Sequence, residues 1–279
     1  MKSKTNNKVN IDLYAGGQLF GHSETADAVS QGVCEMGFVS LNHFAGYSPV
    51  LTFNEYAFVV DSFDSWNKNQ DEMFKITDEI LNSIGVKLLC FAPYSDTYII
   101  SNKEINKPED VKGLRIRGVS DPFFDCIKAW GGVPAAMTPD EAYDAMSKGA
   151  LDGIMSGIDS AKSRNYFEVA DYISGPTASS IWMLIINKAV WENLPQDIQQ
   201  SIQEASNNMS TTGFSEQARI DQEAADFLKT QGMQVKQFTL EEVAIWKKAS
   251  QPAYDQYIKT CTDAGQGELA QKILAMFLK

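Results

Sequence analysis

Residues 111–152 carry the clearest alternation of apolar and polar positions in the chain. Leu114 and Ile116 alternate with Arg115 and Arg117, the period-two pattern of a strand. Asp121-Pro122 then has the cap and first-position proline of a helix start. Phe123, Ile127 and Trp130 follow at helical spacing until Gly131-Gly132 ends the run. Residues 133–137 read as a short apolar strand. Thr138-Pro139-Asp140-Glu141 opens a second helix with an acidic first turn, which Lys148-Gly149 closes. Leu151-Asp152-Gly153-Ile154 begins a further strand. The pattern predicts a βαβα unit of an α/β fold.

The rest of the chain continues in the same style. Residues 23–32 predict a capped helix and 35–41 a strand. Residues 66–85 predict a helix with Met73, Phe74, Ile76, Ile80 and Leu81 on one face. Residues 86–92 and 96–101 read as strands, with a hinge between them. Residues 160–172 read as helical, and 180–187 as an apolar strand that makes a second crossing. Residues 194–231 form a long polar segment that proline does not interrupt after Pro195. Residues 241–265 are amphipathic, with Pro252 kinking the helix or starting a new one. Tyr56, Phe58 and Val59 mark an apolar run over 54–61.

Chemistry enters at Arg117, which lies at the carboxyl end of its strand and just before a helix N-terminus. Ligands of open α/β sheets collect at that end, and a guanidinium is a planar fork matched to a carboxylate. From spacing alone, a solvated strand-end residue or a structural ion-pair partner is an equally good reading. Trp182, Trp130 and Phe38 are candidates to stack on a ligand, against the commoner role of core aromatics. Gly16-Gly17 with Gly21 reads as a turn, because the lysine and helix of a phosphate loop are absent. The pair Asp152 and Asp159 offers no opposed acid and base. His22 and His43 do not make a zinc motif. Cys34, Cys90, Cys126 and Cys261 form no C-x-x-C pair and read as free, largely buried thiols. No metal or other cofactor is expected.

The net charge of −12 argues against nucleic acid and anionic membranes as partners, since both select a basic face. A hydrophobic fraction of 44% over 279 residues is enough to bury a large core. No segment has the length and apolarity of a membrane span, so direct insertion is not expected. Met1-Lys2-Ser3-Lys4 is followed by no apolar run, so these residues carry no export signal.

A family likeness sharpens this picture. KGLRIR at 112–117 and GGVPAAMTPDEAYDAMSKGALDG at 131–153 resemble the solute receptors of TRAP transporters (tripartite ATP-independent periplasmic transporters). KVNIDLYAGGQLFG at 8–21 resembles that family's early strand and turn, and AVSQGVCEMGF at 28–38 its helix and following strand. FEVADY at 167–172 and IINKAVWENLPQDIQ at 185–199 are similar to two more of its signatures, in the same order along the chain.

The resemblance implies a two-lobed periplasmic-binding-protein fold of α/β class, with a hinge, an inter-lobe cleft and a long helix spanning both lobes. Residues 1–94 with 183–222 would form one lobe, and 95–182 with 223–279 the other. The family's first strand and helix have no counterpart, so the first lobe is expected to lack them. Arg117 would clamp a ligand carboxylate. Thr97 and Ser40 fall near a second arginine and an acid used by the sialic-acid receptors, and Ser156 and Pro139 near an asparagine and an aromatic at other cleft positions of the family. These departures favour a smaller or more apolar acid. Tyr98, Phe38 and Trp182 would complete the cleft.

The implied function is that of an extracytoplasmic, periplasmic receptor. It binds a small organic acid and passes it to TRAP membrane permease subunits, without catalysis. The alternative is a truncated or non-transport ligand-sensing domain, or an enzyme, on the same frame.

Overall fold

A computed structural model describes residues 1–15, 17–21 and 23–278. Helix α1 (Thr25–Ser30) leads into strand β1 (Met36–Ser40). A buried 3-10 segment, Pro49–Glu55, precedes helix α2 (Phe63–Ser83). Ser62 caps α2 by accepting the Ser65 N–H, and Trp66, Met73, Ile76 and Leu81 are its buried face. Strands β2 (Val86–Pro93) and β3 (Thr97–Ser101) follow.

The predicted βαβα unit is β4 (Arg115–Gly118), α3 (Asp121–Ala129), β5 (Val133–Ala136) and α4 (Pro139–Ser147), continued by β6 (Gly153–Gly157) and α5 (Ile158–Ser163). Thr138 and Glu141 form a reciprocal capping box at α4. Strands β7 (Tyr172–Ala178) and β8 (Ile181–Asn187) lead to α6 (Lys188–Asn193) and to α7 (Gln196–Thr230). Strand β9 (Gln234–Gln237) and helices α8 (Leu240–Ala249), α9 (Gln251–Asp263) and α10 (Gly267–Phe277) complete the order. Pro252 occupies the first turn of α9, where its missing N–H has no partner to lose.

The strands form two sheets. One has three strands in the order β1-β8-β2, all antiparallel. The other has six, in the order β5-β4-β6-β3-β7-β9. In the second sheet β4 runs parallel to β5 and β6, while β3 is antiparallel to β6 and β7. One face of the first sheet packs on an apolar cluster that includes Phe53, Trp66, Phe91 and Trp246. Leu89 and Ile186 meet Ile198 and Ile202 of α7 in another cluster. The second sheet packs Ile100, Ile154 and Ile173 with Ala224 and Leu228, at the far end of the same helix. At 1.5 Å per residue the 35 residues of α7 extend about 50 Å, enough to run past both sheets. Gly213 lets it close on Pro93 at the end of β2, since an added Cβ would lie 3.2 Å from the proline ring.

Three expectations change. Residues 8–15 form no strand, although Ile11 and Leu13 alternate with polar neighbours. A strand needs a partner for its backbone groups, and no described strand pairs with β1 on the side away from β8. The segment is held at its start by the Lys8–Asp197 ion pair, and leaves Leu13 86% exposed. Gly16 and His22 lie outside the described residues, whereas Gly17 has the positive φ of a turn. The helix read over 160–172 ends at Ser163, where Asn165 in the left-handed region reverses the chain. Strands β7 and β9 and helix α10 were not read from the pattern. All four cysteines are free, with Cys34 half-buried and the others buried.

Candidate functional site

The register of the second sheet brings several of the singled-out residues to one edge. Strands β4, β5 and β6 are parallel, so Arg117, Met137 and Ser156 come from their carboxyl ends. Strand β3 runs the other way, so its first residue, Thr97, pairs with Gly157 at that same edge. In the first sheet Ser40 pairs with Trp182, and Trp182 with Ala92, which sets the end of β1, the start of β8 and the end of β2 along one edge.

Two short crossovers join these edges: residues 94–96 between β2 and β3, and 179–180 between β7 and β8. They are tied together where the Tyr94 N–H donates to the Ser180 carbonyl at 2.8 Å, and where the Thr97 and Ser180 hydroxyls share a 3.1 Å bond. The two edges therefore face one another, with the junction as the floor of the space between them.

Arg117 is a charged residue at the second-sheet edge. It is 2% exposed. Its Nε donates to the Met137 carbonyl at 3.0 Å and one terminal nitrogen to the Met155 carbonyl at 3.5 Å. The other terminal nitrogen, NH2, is buried and has no hydrogen-bond partner. No carboxylate pairs with this guanidinium among the described residues; burial pulls its pKa below the usual arginine range, and Arg164 adds to that. A buried, unpaired charged donor is costly, and an anion at NH2 would remove that cost. Gly118 follows with Phe123 and Phe124 packed where a side chain would be, which fixes the end of β4 against α3.

The other singled-out residues are distributed as follows. Trp182 stacks on Tyr94, with ring centroids 4.5 Å apart, and lies tilted against Phe38 at 5.2 Å. Phe38 and Tyr94 are 39% and 38% exposed, so this aromatic group is open to the outside. Ser40 is buried and donates to Glu55 at 2.9 Å. Glu55 also accepts from Ser120, the N-cap of α3, at 2.6 Å. Ser156 is half-buried and pairs with Tyr98 across β6 and β3. Tyr98 itself is 5% exposed and belongs to the core of the second sheet. Pro139 is half-buried at the start of α4, and its carbonyl accepts the Tyr166 hydroxyl. Trp130 is buried against Trp246, with Nε1 donating to Ser250.

Glu55, Ser120, Tyr94 and Ser180 were not found from the pattern. Glu55 carried a signal, a charged residue inside a largely apolar stretch over 49–60. Asp96 and Asp221 meet at the junction, where Asp221 accepts from the Ser95 hydroxyl and the Asp96 N–H. Two open surface depressions, one beside Asp125 and Lys128 and one beside Asp61 and Lys68, lie elsewhere.

Comparison with known proteins places this geometry. The family model described as bacterial extracellular solute-binding protein, family 7, matches residues 1–260. The C4-dicarboxylate-binding periplasmic protein DctP of Rhodobacter capsulatus is 24% identical over 258 residues, which cover 90% of this chain and 77% of that protein. The 2,3-diketo-L-gulonate-binding periplasmic protein YiaO of Escherichia coli is 25% identical over 245 residues, 84% of this chain and 73% of that protein. Among solved structures, a TRAP periplasmic solute binding protein from Rhodoferax ferrireducens with bound malonate superposes with a TM-score of 0.87 at 22% identity, covering 99% of this chain and 90% of that one. A Bordetella pertussis extracytoplasmic solute receptor binding pyroglutamic acid, DctP7, gives 0.88 at 20% identity, covering 100% and 91%. These likenesses establish the two-lobed α/β receptor fold.

Proposed function

Because this chain belongs to the family 7 bacterial extracellular solute-binding proteins, we propose that it is a TRAP-type receptor that holds the carboxylate of a small organic acid on Arg117. The observation that carries this reading is the buried NH2 group of Arg117, which lacks a partner at the edge where two sheets face each other. The similar proteins named for dicarboxylate, diketogulonate, malonate and pyroglutamic acid all take an acid, so an anion clamp suits the company this chain keeps.

In the mechanism we infer, the acid enters between the two edges and its carboxylate accepts from Arg117. Ser156 and Thr97 line the same edge, while Phe38, Trp182 and Ser40 line the opposite one, with Tyr98 and Pro139 supporting the first. Closing the two edges on the ligand is a population shift driven by the contacts that only the closed form makes. The crossovers at 94–96 and 179–180 are short enough to act as the hinge. The closed form is then the one recognised by membrane permease subunits outside the cytoplasm.

A thermal-shift screen of small mono- and dicarboxylates tests this. An acid present at about a hundredfold over its dissociation constant adds roughly 2.7 kcal/mol to stability, and Arg117→Ala abolishes the shift. Stabilisation by neutral sugars or amines, with none by any acid, would contradict the proposal.

A further inference from the structure

Glu55 is a charged residue that joins the ends of the two sheets. It ends the 3-10 segment Pro49–Glu55 and reaches two elements at once. One oxygen accepts the hydroxyl of Ser40, at the end of β1, and the other accepts that of Ser120, at the N-terminus of α3. Ser120 follows Arg117 and Gly118 on the same turn out of β4, so the carboxylate spans from the edge of the first sheet to the mouth of the Arg117 site. Glu55 as a residue is half-buried.

Among the described residues Glu55 hydrogen-bonds two serines and makes no ion pair. Burial pushes the Glu55 carboxyl up, and the hydroxyls of Ser120 and Ser40 pull it back. Both oxygens accept a donor, which is the pattern of an ionised carboxylate, and such a group has lone pairs to spare beyond two bonds. Arg117 mirrors this, with a buried terminal nitrogen and no anion. Among the described residues no hydrogen bond or ion pair joins Glu55 to Arg117. A cleft that holds the Arg117 guanidinium at the end of β4 and, between Ser40 and Ser120, a carboxylate that no described cation pairs is complementary to a molecule that is an acid at one end and a hydrogen-bond donor at the other. A second carboxylate would meet Glu55 as a like charge, which specificity can exploit as a repulsive element.

We propose that Glu55 selects, from among small organic acids, those whose far end carries a donor, an ammonium or a hydroxyl group, over those that end in a second carboxylate. This rests on the assignment of Arg117 as the carboxylate clamp.

Matched sets of straight-chain acids test it by calorimetry on the full chain, each set having one carbon count and ending in a carboxylate, a hydroxyl or an ammonium, from malonate to adipate in length. The wild type should prefer a donor-ended acid over the diacid of equal length by about tenfold or more, the effect of a hydrogen bond to a charged partner. The amino and hydroxy arms tell which donor is used. Glu55→Gln, whose amide can donate to a carboxylate, should bring the two classes to within about threefold or reverse them. Equal or better binding of diacids by the wild type overturns the proposal, as does a Glu55→Gln protein that keeps the original preference. If Glu55→Gln does not fold, the wild-type preference decides alone. The clamp fails separately: no acid binds at all, or Arg117→Ala binds every acid as the wild type does.

Discussion

Arg117 shows how far a single residue could be read. Its position at a strand end, with a fork-shaped cation, was visible in the alternation of Leu114, Arg115, Ile116 and Arg117. What supports the proposed role, a terminal nitrogen buried without a partner, is set in place by bonds from the rest of the guanidinium to the Met137 and Met155 carbonyls, which come from just past β5 and from β6. Glu55 was passed over for the converse reason. Its partners, Ser40 and Ser120, are distant in sequence, and only the fold makes them neighbours.

Asp96 is a third such case. Burial first, then the nearby Asp221, pushes its carboxyl up to about 7, against the Ser179 hydroxyl that lowers it. Asp221 is pushed up as well, with burial the largest cause and Asp159 adding to it. A folded-state pKa above the unfolded value means that the native protein holds the proton more tightly. The stabilising contribution is therefore full below about pH 4 and is lost as pH rises toward 7. Asp96→Asn should gain stability relative to the wild type across that window, on the order of 1 kcal/mol per pH unit at the steepest. Denaturation of both proteins at several pH values checks it, and parallel curves would refute the assignment.

At the scale of elements, helices with strong periodicity and caps were legible: α2, α4, α7 and the restart at Pro252 all lie near their expected positions. Strand β7 was not, because Gly175-Pro176 in its middle reads as a turn and its pairing with β3 and β9 is tertiary. The segment at 8–15 failed in the opposite direction. Its alternation is strand-like, yet a strand is a property of a pair, and here the apolar residues point to solvent, with Ile11 47% and Leu13 86% exposed. Replacing Ile11 and Leu13 by Ser should therefore change stability by less than about 0.5 kcal/mol each, as at ordinary surface sites. Losses above about 1.5 kcal/mol by urea denaturation would show that the segment packs into the fold.

At the scale of the whole molecule, the two-lobed plan was legible because its signatures run collinearly along the chain, and the comparisons support it over residues 1–260. What the linear pattern could not carry is how the two sheet edges confront each other. That follows from strand register, from the crossovers tied by Tyr94, Thr97 and Ser180, and from Asp221 on the long helix gripping the residues 95–96. The cleft is the joint product of these ties, and Arg117 is the group proposed to hold the ligand in it.

The most direct test of that claim is a thermodynamic cycle by calorimetry, crossing wild type and Arg117→Ala with the best acid from the screen and its carboxamide. The account predicts that the wild type loses about a hundredfold or more in affinity when the carboxylate becomes an amide, as when one partner of a buried ion pair is removed, and that Arg117→Ala hardly distinguishes the two ligands. An Arg117→Ala protein that discriminates acid from amide as strongly as the wild type would contradict it.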